Sequence, residues 1–172
     1  MKKLGAKVAS RSQSVINGAL LFLATGAYLS YIPGWVFGKF SRNQKHGGEG
    51  LIGSIEGLLL IFIMPKSPRF FLAILLLATS VAFWICGKAE VILNRHDDGR
   101  IILDEVLGML AAGFLFPHTL KSLGLAFIFF RFFDVFKVFP CNLFEKLPNG
   151  FGVVADDLCA GVMANLAARL LI

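Results

Sequence analysis

Asp104 and Glu105 stand side by side in IILDEVLGMLAAGFLF (101–116), a run with no other charge. Two further stretches share the pattern. RFFDVFK (131–137) holds Arg131, Asp134 and Lys137, and FGVVADDLCAG (151–161) holds Asp156 and Asp157. Of eleven acidic residues, five therefore lie within or beside strongly apolar runs. A charge at the centre of a bilayer costs about 2.5–3.5 kcal/mol on insertion scales, so such residues are usually paired and functional. Arg131, Asp134 and Lys137 recur every three residues and share one flank of a helix. Two cations do not balance five anions. Clustered carboxylates either share protons or bind a divalent cation, and an all-oxygen donor set suits a hard ion such as magnesium or calcium.

Small residues accompany the acids. Gly108 follows Asp104 by four, and Ala160 and Gly161 stand in the same relation to Asp156 and Asp157. Such positions allow close helix approach and leave space above a carboxylate. Taken singly, Asp104, Asp156 or Asp157 could each be a helix N-cap. Glu56 is at most a supporting residue around the site. Asp97 and Asp98, in HDDGR, read as a solvated turn. His46, His96 and His118 are scattered as loop histidines without zinc spacing. Cys86, Cys141 and Cys159 form no CxxC pair and read as buried free thiols.

These residues must be positioned by apolar helices. The chain of 172 residues is 56% hydrophobic and 16% charged, with 18 Phe and a mean hydropathy of +0.73. Soluble domains average about 45–50% apolar and about 25% charged, so the composition points to a membrane. The net charge of +6 is spread in short clusters rather than a basic stripe, which argues against nucleic acid and for anionic lipid headgroups. The expected fold is all-α: a compact helical membrane protein of about four to six hydrophobic helices, forming a single domain over 1–172. The runs are 15–32, 51–64, 69–87, 101–116, 119–136 and 151–172. In lipid, helices satisfy every backbone polar group internally, and period-two alternation is absent. The run 51–64 is short for a full span and reads as re-entrant or interfacial. Lys2, Lys3, Lys7 and Arg11 precede the first run, which reads as a retained segment with a cytoplasmic N-terminus. The 34–50 loop is also basic, through Lys39, Arg42 and Lys45, so some runs are not expected to cross the bilayer.

GRIILDEVLGM, FRFFDVFKVFP and GFGVVADDLCAGV resemble, in order and spacing, three blocks of the phosphatidylglycerophosphatase A family, across roughly residues 84–165. Two departures stand out. Val138 follows the lysine where the family tends to have proline, although Pro140 is kept. Pro33-Gly34 is also separated by the basic loop from GLIGS (50–54), where the family has one compact block. The resemblance implies a bacterial, multi-pass protein of the cytoplasmic membrane, its site facing the cytoplasmic leaflet. It implies magnesium-dependent hydrolysis of the phosphomonoester of phosphatidylglycerophosphate, giving phosphatidylglycerol. On that reading Asp104, Glu105, Asp156 and Asp157 hold one or two Mg2+. Arg131 grips the phosphate and Lys137 adds a point charge. Asp134 acts as a base or orients Arg131, and the acyl chains rest against Phe-rich helices. Two rivals fit buried acids equally: a small ion or proton transporter, and another membrane lipid enzyme such as a phosphatidyltransferase. The Arg-Asp-Lys flank argues against a cation path, and the contiguous Asp-rich signature of the transferases is missing.

Overall fold

The computed structural model describes residues 2–36, 48–148 and 150–172. All regular elements among them are helical, as expected. They are α1 (Lys2–Ala24), a 3-10 turn (Leu29–Tyr31), α2 (Ile32–Val36), α3 (Glu49–Ile61), α4 (Pro68–Leu93), α5 (Leu103–Ala112), α6 (Leu120–Phe136), α7 (Cys141–Phe144) and α8 (Gly150–Arg169).

The boundaries follow local chemistry. The first apolar run does not stay helical to residue 32. Gly26, Ala27 and Tyr28 all adopt positive φ and break α1 at Ala24. In α4, Pro68 sits in the first turn, where its missing N–H costs nothing, and Asn94 closes the helix in a left-handed conformation. That helix also absorbs 88–93, beyond the apolar run 69–87. Ala89 and Glu90 are buried there, so the polar letters belong to a helix end facing protein. The Thr119 side chain accepts from Ser122 N at the start of α6. At its other end, Lys137 takes a left-handed φ of 47° and stops the helix. Between the apolar runs 119–136 and 151–172 the chain forms the short helix α7.

Only α4 and α8, among the described residues, are long and apolar enough to cross a membrane. The 26 residues of α4 reach about 39 Å. α5, with ten residues, is too short to cross a core of about 30 Å. Its end is fixed by α8: Asn165 Nδ2 donates to Ala112 O at 2.8 Å and to Phe114 O at 2.7 Å, satisfying carbonyls the helix leaves unpaired.

α5 is the axis of the fold. Val106 to Ala112 are all buried, packed by α3, α4, α6 and α8. Glycines set the separations. A methyl on Gly161 of α8 would strike Gly108 O of α5, and one on Gly57 of α3 would strike Val106 O. Gly150 lies as closely on the backbone of Phe83 and Gly87 in α4. Where lipid replaces water, packing of this kind is what holds helices together. The N-terminal ends of α3, α5 and α8 thus meet the C-terminal ends of α4 and α6 at one end of the bundle. All three acidic stretches lie there.

Candidate active site

Asp104 and Glu105 occupy the first turn of α5, anchored by the bond from Ile102 N to Ala24 O at 2.9 Å. Asp157 faces them from the second turn of α8. One carboxylate oxygen from each of the three lies within 4.8 Å of the other two. Asp104 and Asp157 are buried. Asp104 Oδ1, Glu105 Oε2 and Asp157 Oδ2 are buried oxygens without a hydrogen-bond partner among the described residues. Three anionic groups in so small a volume repel strongly, and buried polar atoms ordinarily find partners. The trio is therefore an all-oxygen donor set able to hold a hard divalent cation.

None of these acids serves as a local cap. Ile102 precedes α5 without a side-chain cap bond, and α8 begins six residues before Asp156. Asp156 is turned elsewhere: its Oδ2 pairs with Lys137 Nζ, and its Oδ1 accepts from Asp157 N at 3.0 Å. The trio therefore excludes Asp156, which the sequence reading grouped with the metal ligands.

The cations come from α6 and its end. Arg131 Nη1 donates to Asp134 Oδ2 at 2.8 Å, Ser54 Oγ at 3.0 Å and Gly50 O at 3.1 Å. Ser54 Oγ in turn donates to Gly50 O at 2.8 Å. This network ties α6 to the first turn of α3 and fixes the guanidinium beside Glu105, whose Oε1 packs on Gly50. Lys137 Nζ also lies 3.9 Å from Asp134 Oδ1 and from Asp157 Oδ1. Burial alone would lower its pKa, but the carboxylates of Asp157 and Asp156 outweigh that and hold the ammonium charged. All seven residues singled out from the sequence line one cleft of about 430 Å³. Gly48, Glu49, Gly50, Leu51, Asp97 and Glu145 line it as well.

Several participants had no assigned role beforehand. Gly50 and Ser54, the ends of GLIGS, belong to the Arg131 network. The HDDGR turn is not simply solvated: Asp98 is 3% exposed and Asp97 lines the cleft. Arg100 Nε and Nη2 donate to Asp98 Oδ1 and Oδ2 at 2.8 and 2.7 Å. Burial raises the Asp98 pKa, but these bonds win and hold it below the usual carboxylate value. The Asp-x-Arg spacing was the available signal. Glu90, buried at the end of α4, accepts from Asp97 N at 2.8 Å and pairs with His96 Nδ1 at 2.6 Å, fixing the same turn. Glu56 does not line the cleft; its carboxylate lies against Gly26. His118 packs edge-on against Phe62, and the three cysteines are free thiols. Lys39, Arg42, Lys45 and His46 lie outside the described residues.

Clustered carboxylates flanked by arginine and lysine, at one end of an apolar helical bundle, fit the class of a helical phosphatase. A family model described as Phosphatidylglycerophosphatase A matches residues 22–172. The chain belongs to the phosphatidylglycerophosphatase A family. It is similar to Phosphatidylglycerophosphatase A of Haemophilus influenzae, 34% identical over 133 residues, covering 73% of this chain and 79% of the relative. The protein of the same name from Escherichia coli is 25% identical over 118 residues, 67% of this chain and 69% of its own. A Bacteroides thetaiotaomicron relative, named provisionally as a phosphatidylinositol-3-phosphatase, is 28% identical over 142 residues, 79% and 89% of the two chains. No solved structure matches.

Proposed function

We propose that this protein hydrolyses the phosphomonoester of phosphatidylglycerophosphate to phosphatidylglycerol and inorganic phosphate, using Mg2+ held at the acid trio. The observation carrying this reading is the convergence of three buried, unpartnered carboxylate oxygens with Arg131 and Lys137 in one cleft. A cation path gains little from two fixed positive charges, whereas a phosphate site needs them. The family relatives named for phosphatidylglycerophosphate support this choice of substrate.

Asp104, Glu105 and Asp157 would hold the ion; their oxygen-only chemistry fits Mg2+. When bound, the ion supplies charge neutralisation to the phosphate oxygens. The remaining work falls to side chains. Arg131, fixed by Asp134, Ser54 and Gly50, presents a planar fork to the phosphate. Asp134 orients that arginine rather than serving as the base. Asp156 holds Lys137 beside the trio, where its ammonium offsets charge developing in the transition state. Water attacks phosphorus as the P–O bond to glycerol breaks. Its proton passes to the departing alkoxide.

α4 and α8 cross the bacterial cytoplasmic membrane, and the site end faces the cytoplasm. Among the described connections, Arg95, Arg100 and Lys146 fall at that end, against Lys66 at the other. Cytoplasmic loops carry such an excess. Purified protein in detergent should release phosphate from phosphatidylglycerophosphate, and chelation or Asp104→Asn should abolish release. Robust turnover under either condition would reject the metal assignment. A parallel assay with phosphatidylinositol 3-phosphate separates the two headgroups named among the relatives.

A further inference from the structure

The cleft has one wall that is both apolar and open. Of its apolar lining residues, Ile101 and Val153 are 2% and 6% exposed and form the floor, whereas Leu51 on α3 and Val135 on α6 are 44% and 39% exposed. The rest of the rim is glycine or charged: Gly48, Glu49, Asp97 and Glu145. From this wall two apolar rows lead away. Leu51, Ile55 and Leu59 recur every four residues along α3, and all are exposed. Ile128, Phe132 and Val135 make the matching exposed row on α6. α3 starts at the cleft and α6 ends there, so both rows run from the site along the bundle. The two helices are joined at the cleft by Arg131, whose Nη1 bonds Gly50 O and Ser54 Oγ. The phosphate-binding fork thus stands where the apolar rows meet the acids.

We infer that the lipid enters sideways between α3 and α6, its acyl chains lying along Leu51–Ile55 and Ile128–Phe132–Val135 while its phosphate reaches Arg131. This rests on the lipid-phosphatase reading and deepens it. Continuity with the cleft names the occupant, because a molecule seated on both surfaces needs an anionic head and an apolar tail. The same geometry spares the lipid from leaving the bilayer.

The test compares phosphatidylglycerophosphate in mixed micelles with its deacylated, water-soluble headgroup phosphate. Ile55→Trp and Ile128→Trp narrow the groove and should raise the ratio of lipid KM to headgroup KM by about tenfold, the scale of a misfitted apolar pocket. Leu77→Trp, on the exposed face of α4, should leave the ratio at its wild-type value. An unchanged ratio in both groove variants, or an equal rise in the α4 variant, overturns the portal while leaving the phosphatase reading intact. Failure of the wild-type protein to release phosphate from either compound overturns the reaction and the portal with it. Should a groove variant fail to fold, labelling of the wild-type protein with a lipid carrying a diazirine in its acyl chain decides. Adducts concentrated in 51–59 and 128–136 support the portal, and adducts spread equally over α4 reject it.

Discussion

The ammonium of Lys137, on the left-handed residue that ends α6, rests on the Asp156 carboxylate of α8. The pair joins two chain segments nineteen residues apart. It also explains why Asp156 stays apart from the neighbouring trio: one adjacent aspartate holds the lysine, the other completes the donor set. Lys137→Met should lower kcat by on the order of 10²–10³, as loss of one transition-state donor does. Asp156→Asn should lower it too, and the double variant should be no worse than the poorer single one, since partners in one network are not additive. Steady-state kinetics of the three variants check this, and strict additivity would separate the two roles.

Arg131→Lys keeps the charge and loses the fork. The lysine cannot reproduce the guanidinium's planar geometry against Asp134, Ser54 and Gly50. A fall in kcat/KM of about 10²-fold is expected, equivalent to roughly 2.7 kcal/mol of transition-state binding. Ser54→Ala, which removes one acceptor, should cost less. Wild-type activity in Arg131→Lys would show that charge alone suffices.

Gly161→Ala should separate the helices that carry the acids. Its methyl would meet Gly108 O, so α5 and α8 must move apart. Overpacking of this kind costs about 1–3 kcal/mol. Thermal unfolding should report that loss, and activity should fall further than stability because Asp157 would shift from Asp104 and Glu105. Gly18→Ala meets open space and is the control.

The Asp98–Arg100 pair sets an acid limb on stability. Asp98 has a lowered pKa in the folded protein, so its contribution is present above the unfolded value of about 3.9 and is lost as pH falls through the folded value. Arg100→Gln removes the bonds that lower it and leaves burial, which raises it. The variant should be less stable than the wild type at pH 7, and its deficit should shrink as pH falls, because a buried carboxyl with a raised folded pKa favours the folded state on protonation. Denaturant unfolding between pH 7 and pH 3 measures both, and parallel curves would contradict the assignment.

Much of the site was legible before its geometry, because charge in an apolar helix is expensive and must have a reason. Asp104, Glu105, Arg131, Asp134, Lys137, Asp156 and Asp157 all carried that signal. Gly108 and Gly161 showed close packing for the same reason. Ser54 and Gly50 stood out only as part of GLIGS, without a role, since that role exists only once α6 crosses the first turn of α3. Asp98 was misread because a polar turn looks the same whether it faces water or the end of a bundle. The division of labour between Asp156 and Asp157 was hidden too. It depends on a 100° rotation between neighbouring helix positions and on where α6 stops.

The most direct test of the central claim is Mn2+ binding to the purified protein, followed by electron paramagnetic resonance and by competition with Mg2+. The account predicts a Mg2+-displaceable site in the wild type. Asp104→Asn, Glu105→Gln and Asp157→Asn should each weaken it by at least about tenfold, the lower end of what ligand-shell changes cost, while Asp134→Asn should retain it. Binding that is unaffected by all three substitutions would contradict it.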